Sequence, residues 1–213
     1  MVVTKANVHG IRQRIFNFVT GARKMFPCFD EPGYKSIFTF TVYYKYADYS
    51  AVWNMPIKEK GPVEDLWGPW EDMEDYYYSK YDTSMKMSPY LLALAISDYD
   101  WSTTGVSELT NTLIRVGGPE YRMKDGQGDY GVELGKRLID GFSEYYAYNY
   151  SDSFGPNGAK SDQIGIPDFS AGAMENWGLV TYQEYLVYIK PENSYESSVG
   201  SSSYLRHIAS NFL

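Results

Sequence analysis

Residues 36–46 read SIFTFTVYYKY, with Phe38, Phe40, Val42 and Tyr44 on one face and Ile37, Thr39, Thr41 and Tyr43 on the other. A period of two, rich in aromatic and β-branched residues, predicts a strand. Turn chemistry, DEPG at residues 30–33, precedes it. Residues 90–96, YLLALAI, form a short continuous apolar run, which predicts a strand covered on both faces. Residues 113–116 predict another, closed by Gly117, Gly118 and Pro119. The period then changes. Val132, Gly135, Ile139, Phe142 and Tyr146 recur at three or four residues, which predicts an amphipathic helix capped by Asp129. A Gly/Pro/Asn loop follows at 151–160, and 179–189 reads as a strand. The end, SSSYLRHIASNFL, has Ser caps and apolar Tyr204, Leu205, Ile208 and Phe212, which predicts a helix. The change from β to mixed α and β places an expected domain boundary near residue 117.

Composition narrows the classes. With 213 residues, 44% hydrophobic and 22% charged, the chain is long enough for one large or two small globular domains. Its 22 tyrosines suit strands and half-wet surfaces. The net charge of -8 argues against nucleic acid, whose phosphates need Lys and Arg, and mildly favours amine-bearing partners. No apolar run reaches the length of a membrane span. The N-terminal residues carry no signal-peptide core, and the compartment and oligomeric state are left open. The single cysteine, Cys28 in FPCFD, excludes a disulfide within the chain and reads as a small core residue. Residues 59–75, acidic and Trp-rich, read as a solvated loop or hairpin rather than an ion site. One glycosylation sequon, Asn149-Tyr150-Ser151, is present.

Residues 172–182, GAMENWGLVTY, place a lone carboxylate, Glu175, at the mouth of an alternating apolar stretch. Gly172 and Ala173 let a ligand backbone come close. A strand near Gly178 could offer its edge to an extended peptide, and a carboxylate at its end would pair with the peptide's ammonium.

Three blocks carry a resemblance: SDQIGIPDFSAGAMENWGLVTYQE at 161–184, ARKMFPCFDEPGYKSIFTFTV at 22–42 and KMSPYLLALAISDY at 86–99. In order and spacing they resemble the zinc aminopeptidases of the aminopeptidase N type. The resemblance implies a mixed α and β chain. Residues 1–117 would be a partial N-terminal β-sandwich domain lacking its opening strands. Residues 118–213 would start a thermolysin-like catalytic domain, truncated at the zinc helix. It implies peptides with a free N-terminus as substrates, removal of their N-terminal residues, and Glu175 as the anchor of the α-amine. Gly172, Ala173, Met174 and Asn176 would belong to the substrate-binding segment. Relatives of this type are often anchored at the cell surface.

The resemblance also implies zinc, held by the two histidines of HExxH and a later glutamate, with the HExxH glutamate as general base. The family places HExxH near residues 206–213, and this chain has no HExxH. If His207 takes the first ligand's place, Ile208 replaces the base and Asn211 the second ligand. Shifted back by one, the three places hold Arg206, His207 and Ser210. His9 and His207 are the only histidines. The expectation is therefore no catalytic residue, no metal ligand and no zinc bound by this chain. Phe16 also stands where many members carry a substrate-binding glutamine. Two functional expectations follow: an inactive fragment or paralogue of a metallo-aminopeptidase, or a non-catalytic module that captures free N-terminal amines through Glu175.

Overall fold

The computed structural model describes residues 4–5, 14–15, 21–45, 48–63, 75–155 and 158–190. The chain divides into two compact units, Met1–Asp98 and Tyr99–Leu213. The boundary expected near residue 117 falls inside a strand of the second unit, Leu113–Gly118, because that strand pairs in parallel with Lys160–Ile166.

Among the described residues the first unit has two sheets. One runs in the order β1 (Thr4–Lys5), β3 (Thr41–Lys45), β6 (Tyr76–Tyr81), β5 (Ile57–Pro62). The other runs β2 (Arg14–Ile15), β7 (Leu94–Ser97), β4 (Ser50–Trp53). Alternation puts Val42 and Tyr44 inside. Trp53 of one sheet stacks on Phe40 at 4.9 Å and meets Tyr81 of the other sheet edge-on at 5.6 Å. This aromatic layer is the core of the unit.

Several expectations are corrected in detail. Among the described residues the strand expected over 36–46 is regular from Thr41 to Lys45, and Tyr46 lies outside them. Upstream, Ser84 bonds Phe38 through both its side chain and its backbone, so the pairing there is irregular although Phe38 and Phe40 still turn inward. The run over 90–96 splits into a 3-10 turn, Pro89–Leu91, and strand β7, because Pro89 presets the turn. The acidic stretch is the hairpin reading: β5 pairs antiparallel with β6, while residues 64–74 lie outside the described residues. Cys28 is half-buried rather than core. Burial, with Asp30 adding to it, pushes its thiol above the ordinary value, which makes it a poor nucleophile.

The second unit is built on a mixed sheet in the order β12 (Ala173–Met174), β13 (Leu179–Gln183), β11 (Lys160–Ile166), β10 (Leu113–Gly118), β8 (Asp100–Trp101), with β9 (Gly105–Val106) also on β10. β10, β11 and β13 are parallel, and β11 is buried along its whole length. Helix α1 (Glu120–Lys124) and helix α2 (Asp129–Tyr146) follow β10. Val132 and Ile139 of α2 are buried with Ile114 and Val116 of β10, as the apolar stripe requires. Asp129 is not a side-chain cap. The N-cap is Gly128, and Asp129 begins the helix while accepting the Thr103 hydroxyl.

The strand expected over 179–189 ends at Gln183, and a single turn, α3 (Glu184–Val187), follows. Its reason is Tyr188, whose ring lies over two glycines. A Cβ on Gly118 or on Gly165 would stand 2.6 Å from that ring. The Tyr188 hydroxyl accepts from the Gly165 amide at 3.0 Å and donates to the Gly117 carbonyl at 2.9 Å. Gly165→Ala is therefore expected to lower stability by about 1–3 kcal/mol through overpacking. Denaturant unfolding followed by circular dichroism checks this, and an unchanged midpoint would refute it. The helix expected near the C-terminus lies outside the described residues.

Candidate functional site

The segment 172–178 forms the outer edge of the second sheet. β12 pairs antiparallel with β13, Ala173 opposite Tyr182 and Met174 opposite Thr181. Among the described residues β12 ends the strand order, so its other edge is open. The Gly172 carbonyl accepts the Gln183 amide at 2.9 Å, and Gln183 Nε2 donates to the Phe169 carbonyl at 2.7 Å. These bonds tie the incoming loop to β13. Gly172 is exposed, and Ala173, Met174 and Glu175 are half-buried. Asn176 is fully buried, and its carbonyl accepts the Leu179 amide at 3.0 Å. Gly178 adopts φ 76°, a left-handed conformation that glycine takes without strain. The five residues singled out in the sequence thus lie on one edge strand and its turn, with Asn176 facing inward.

Behind this turn lies an ionic cluster that sequence reasoning missed. Asp162 of β11 is fully buried and receives Arg115 of β10 twice, Nε at 2.6 Å and an Nη at 3.1 Å. Lys160 Nζ approaches the same carboxylate at 2.8 Å and donates to the Gly178 carbonyl at 2.6 Å. The Arg115 guanidinium lies 3.8 Å over the ring of Trp101. Burial opposes ionisation of Asp162. The Lys160 and Arg115 charges and their hydrogen bonds outweigh it and hold the carboxyl below its ordinary value. For Lys160 burial wins over the pull of Asp162 and brings the ammonium down to about 8. The signal was present in KSDQIGI: alternation puts Lys160 and Asp162 on one face of a strand. On the opposite face, Tyr182 donates to Gln163 Oε1 at 2.7 Å, and Gln163 donates to Ser161 at 2.7 Å.

A cavity of about 570 Å³ opens at the carboxyl ends of β11 and β13. Arg122, Gln127, Asp168, Gln183, Glu184 and Tyr188 are among its walls. It is lined by Phe169 of the loop that enters β12 and by Gln183 of β13, which bonds that loop, but Glu175 does not line it.

Among the described residues, no His, Cys, Asp and Glu side chains form a group of three or more able to hold a metal ion. His9, Phe16, His207 and the rest of residues 206–213 lie outside the described residues. The described residues do not supply a zinc site. No helix among the described residues is long and apolar enough to cross a membrane.

Comparison with known proteins agrees with this division. Residues 19–91 match the Peptidase M1 N-terminal domain, and residues 130–205 match the Peptidase family M1 domain. The chain is 38% identical over 181 residues to Aminopeptidase Ey of Gallus gallus, covering 84% of this chain and 17% of that protein. It is 36% identical over 179 residues to Glutamyl aminopeptidase of Homo sapiens, covering 84% and 17%. It is 38% identical over 177 residues to Aminopeptidase N of Homo sapiens, covering 83% and 17%. The chain therefore spans 17% of the length of these relatives. Matched by both domains in their order, and carrying a β-sandwich followed by a mixed sheet with its edge segment, the chain belongs to peptidase family M1.

Proposed function

We propose that this chain carries the peptide N-terminus recognition segment of a metallo-aminopeptidase. β12 pairs with an extended peptide, and Glu175 receives its α-ammonium. The observation that carries this reading is a strand that, among the described residues, ends the sheet with its outer edge unpaired and leads into a half-buried carboxylate. Backbone pairing supplies affinity without regard to sequence. The carboxylate supplies the choice of chain ends, because a charge-assisted contact in a partly desolvated site is stronger than a neutral one. Gly172, Ala173 and Met174 run along the peptide backbone. Buried Asn176 holds the turn through its carbonyl. The relatives are named aminopeptidases, which supports hydrolysis of N-terminal residues as the activity of the whole protein.

For the 213 residues themselves the assigned role is binding, not cleavage, since the sequence contains no HExxH. The second reading, a binding module that has lost its chemistry, rests on the same substitution of ligand residues. Zinc per chain after exhaustive dialysis tests what the two readings share: near zero is expected for both, and near one equivalent would overturn the non-catalytic role of these 213 residues.

The binding reading has its own test. A fluorescent peptide with a free N-terminus is expected to bind roughly tenfold to a hundredfold more tightly than its N-acetylated twin, the range of a hydrogen bond to a charged group. Glu175→Gln is expected to abolish that preference while leaving the weaker, acetylated mode intact. Equal affinity of both peptides for the unmutated chain would overturn the reading.

A further inference from the structure

The turn 175–178 that joins β12 to β13 is held from the inside. Its closing bond, Leu179 amide to Asn176 carbonyl, spans 3.0 Å. The Gly178 carbonyl then receives two donors: the Asp162 amide at 3.1 Å and Lys160 Nζ at 2.6 Å. The first is a main-chain bond that any residue could make. The second depends on the Lys160 side chain alone. A buried ammonium is costly, and an apolar side chain of similar length would fill the same space more cheaply. Lys160 is 4% exposed and reaches the Gly178 carbonyl only because Asp162 balances its charge. Asp162 is in turn locked by both Arg115 nitrogens. The groups facing Lys160 are thus Asp162 on its own strand, Arg115 on β10 and the Gly178 carbonyl of the turn just before β13. The Tyr150 hydroxyl sits near its backbone, 3.4 Å from the Lys160 carbonyl.

We propose that Lys160 is a positioning residue: balanced by Asp162, it clamps the Gly178 carbonyl and so sets the turn that presents Glu175 to a peptide's amine. The part concerning Glu175 rests on the function proposed above; the clamp itself does not. Lys160 touches no substrate. It acts three residues away, through a turn with a left-handed glycine that has no side chain of its own to hold it.

The test is Lys160→Met in the full chain, read in two ways. Hydrogen exchange followed by mass spectrometry is expected to show protection over 176–179 falling tenfold or more, with α2 and β10 unchanged. No change, or an equal loss across the whole sheet, overturns the clamp. Binding of a free and an N-acetylated peptide is the second readout. The preference for the free amine is expected to collapse toward unity in the variant, which a general loss of stability would not do. Local loosening with the preference retained overturns the positioning role. If the unmutated chain shows no preference, the reading of Glu175 fails, and exchange alone decides the clamp. Should Lys160→Met not fold, the double variant with Asp162→Asn takes its place. It also frees Arg115 of β10 from its carboxylate, so exchange over 176–179 is then read against β10 in the same variant: a larger loss over 176–179 supports the clamp, and a loss no larger than in β10 overturns it.

Discussion

Asp162→Ala is expected to destabilise the second unit by about 3–5 kcal/mol, the usual cost of removing one partner from a buried ion pair. The carboxylate is fully buried and meets two cations, at 2.6 Å and 2.8 Å. Its loss leaves Lys160 without a balancing charge in a site 4% exposed, so the ammonium is either buried unpaired or gives up its proton. Arg115 suffers less, since it is part-exposed and lies against Trp101. Adding Lys160→Met to Asp162→Ala is expected to recover a substantial part of the loss, because the uncompensated buried charge goes with it. A double-mutant cycle in urea measures this, and simple additivity would refute the coupling. The same carboxylate gives an acid dependence. Its folded pKa lies below its unfolded value of 3.8, so its contribution is fully present above that value. The contribution is lost as pH falls through the lower, folded value. Stability curves of the unmutated chain and of Asp162→Asn are therefore expected to converge in strong acid.

Trp53→Ala is expected to cost about 3–5 kcal/mol in the first unit, through lost transfer energy and the cavity left behind. Trp53 is wholly buried and links the two sheets, stacking on Phe40 and meeting Tyr81 edge-on. Two of its neighbours, Phe40 and Tyr81, are rigid rings that cannot easily collapse into that volume. Trp53→Phe is expected to cost well under half as much. It keeps most of the ring contact and removes an N–H that has no hydrogen-bond partner among the described residues. Urea unfolding monitored by circular dichroism tests both variants. Equal losses for the two would mean that the ring's volume is not what matters.

Much of the scaffold was legible because its signal is local. The alternation of Phe38, Phe40, Val42 and Tyr44 predicts an inward face, and all four turn inward even where the strand is irregular. The stripe Val132, Gly135, Ile139, Phe142 and Tyr146 predicts a helix; its first three residues are buried, Phe142 packs part-buried on the same core, and Tyr146 at the last turn is exposed. Errors fell where a distant residue decides the local path. Asp129 has the right type for a cap, but Gly128 holds that place and the carboxylate turns to Thr103. The run 179–189 is apolar enough for a strand, yet Tyr188 must lie over Gly118 and Gly165, so the chain turns after Gln183.

The candidate site divides in the same way. By itself the sequence determined the family, the order of the blocks and the segment that bears Glu175, because motif and periodicity are written in neighbouring residues. Only the tertiary structure decided that, among the described residues, this segment is an edge strand with an inward Asn176. It alone joined Lys160, Asp162, Arg115 and Gly178 into one cluster. The physical reason is that a charge two residues from its opposite reads the same on a wet surface as in a core. Whether it is buried depends on which strands pack beside it, and here those strands come from residues 113–118 and 179–183.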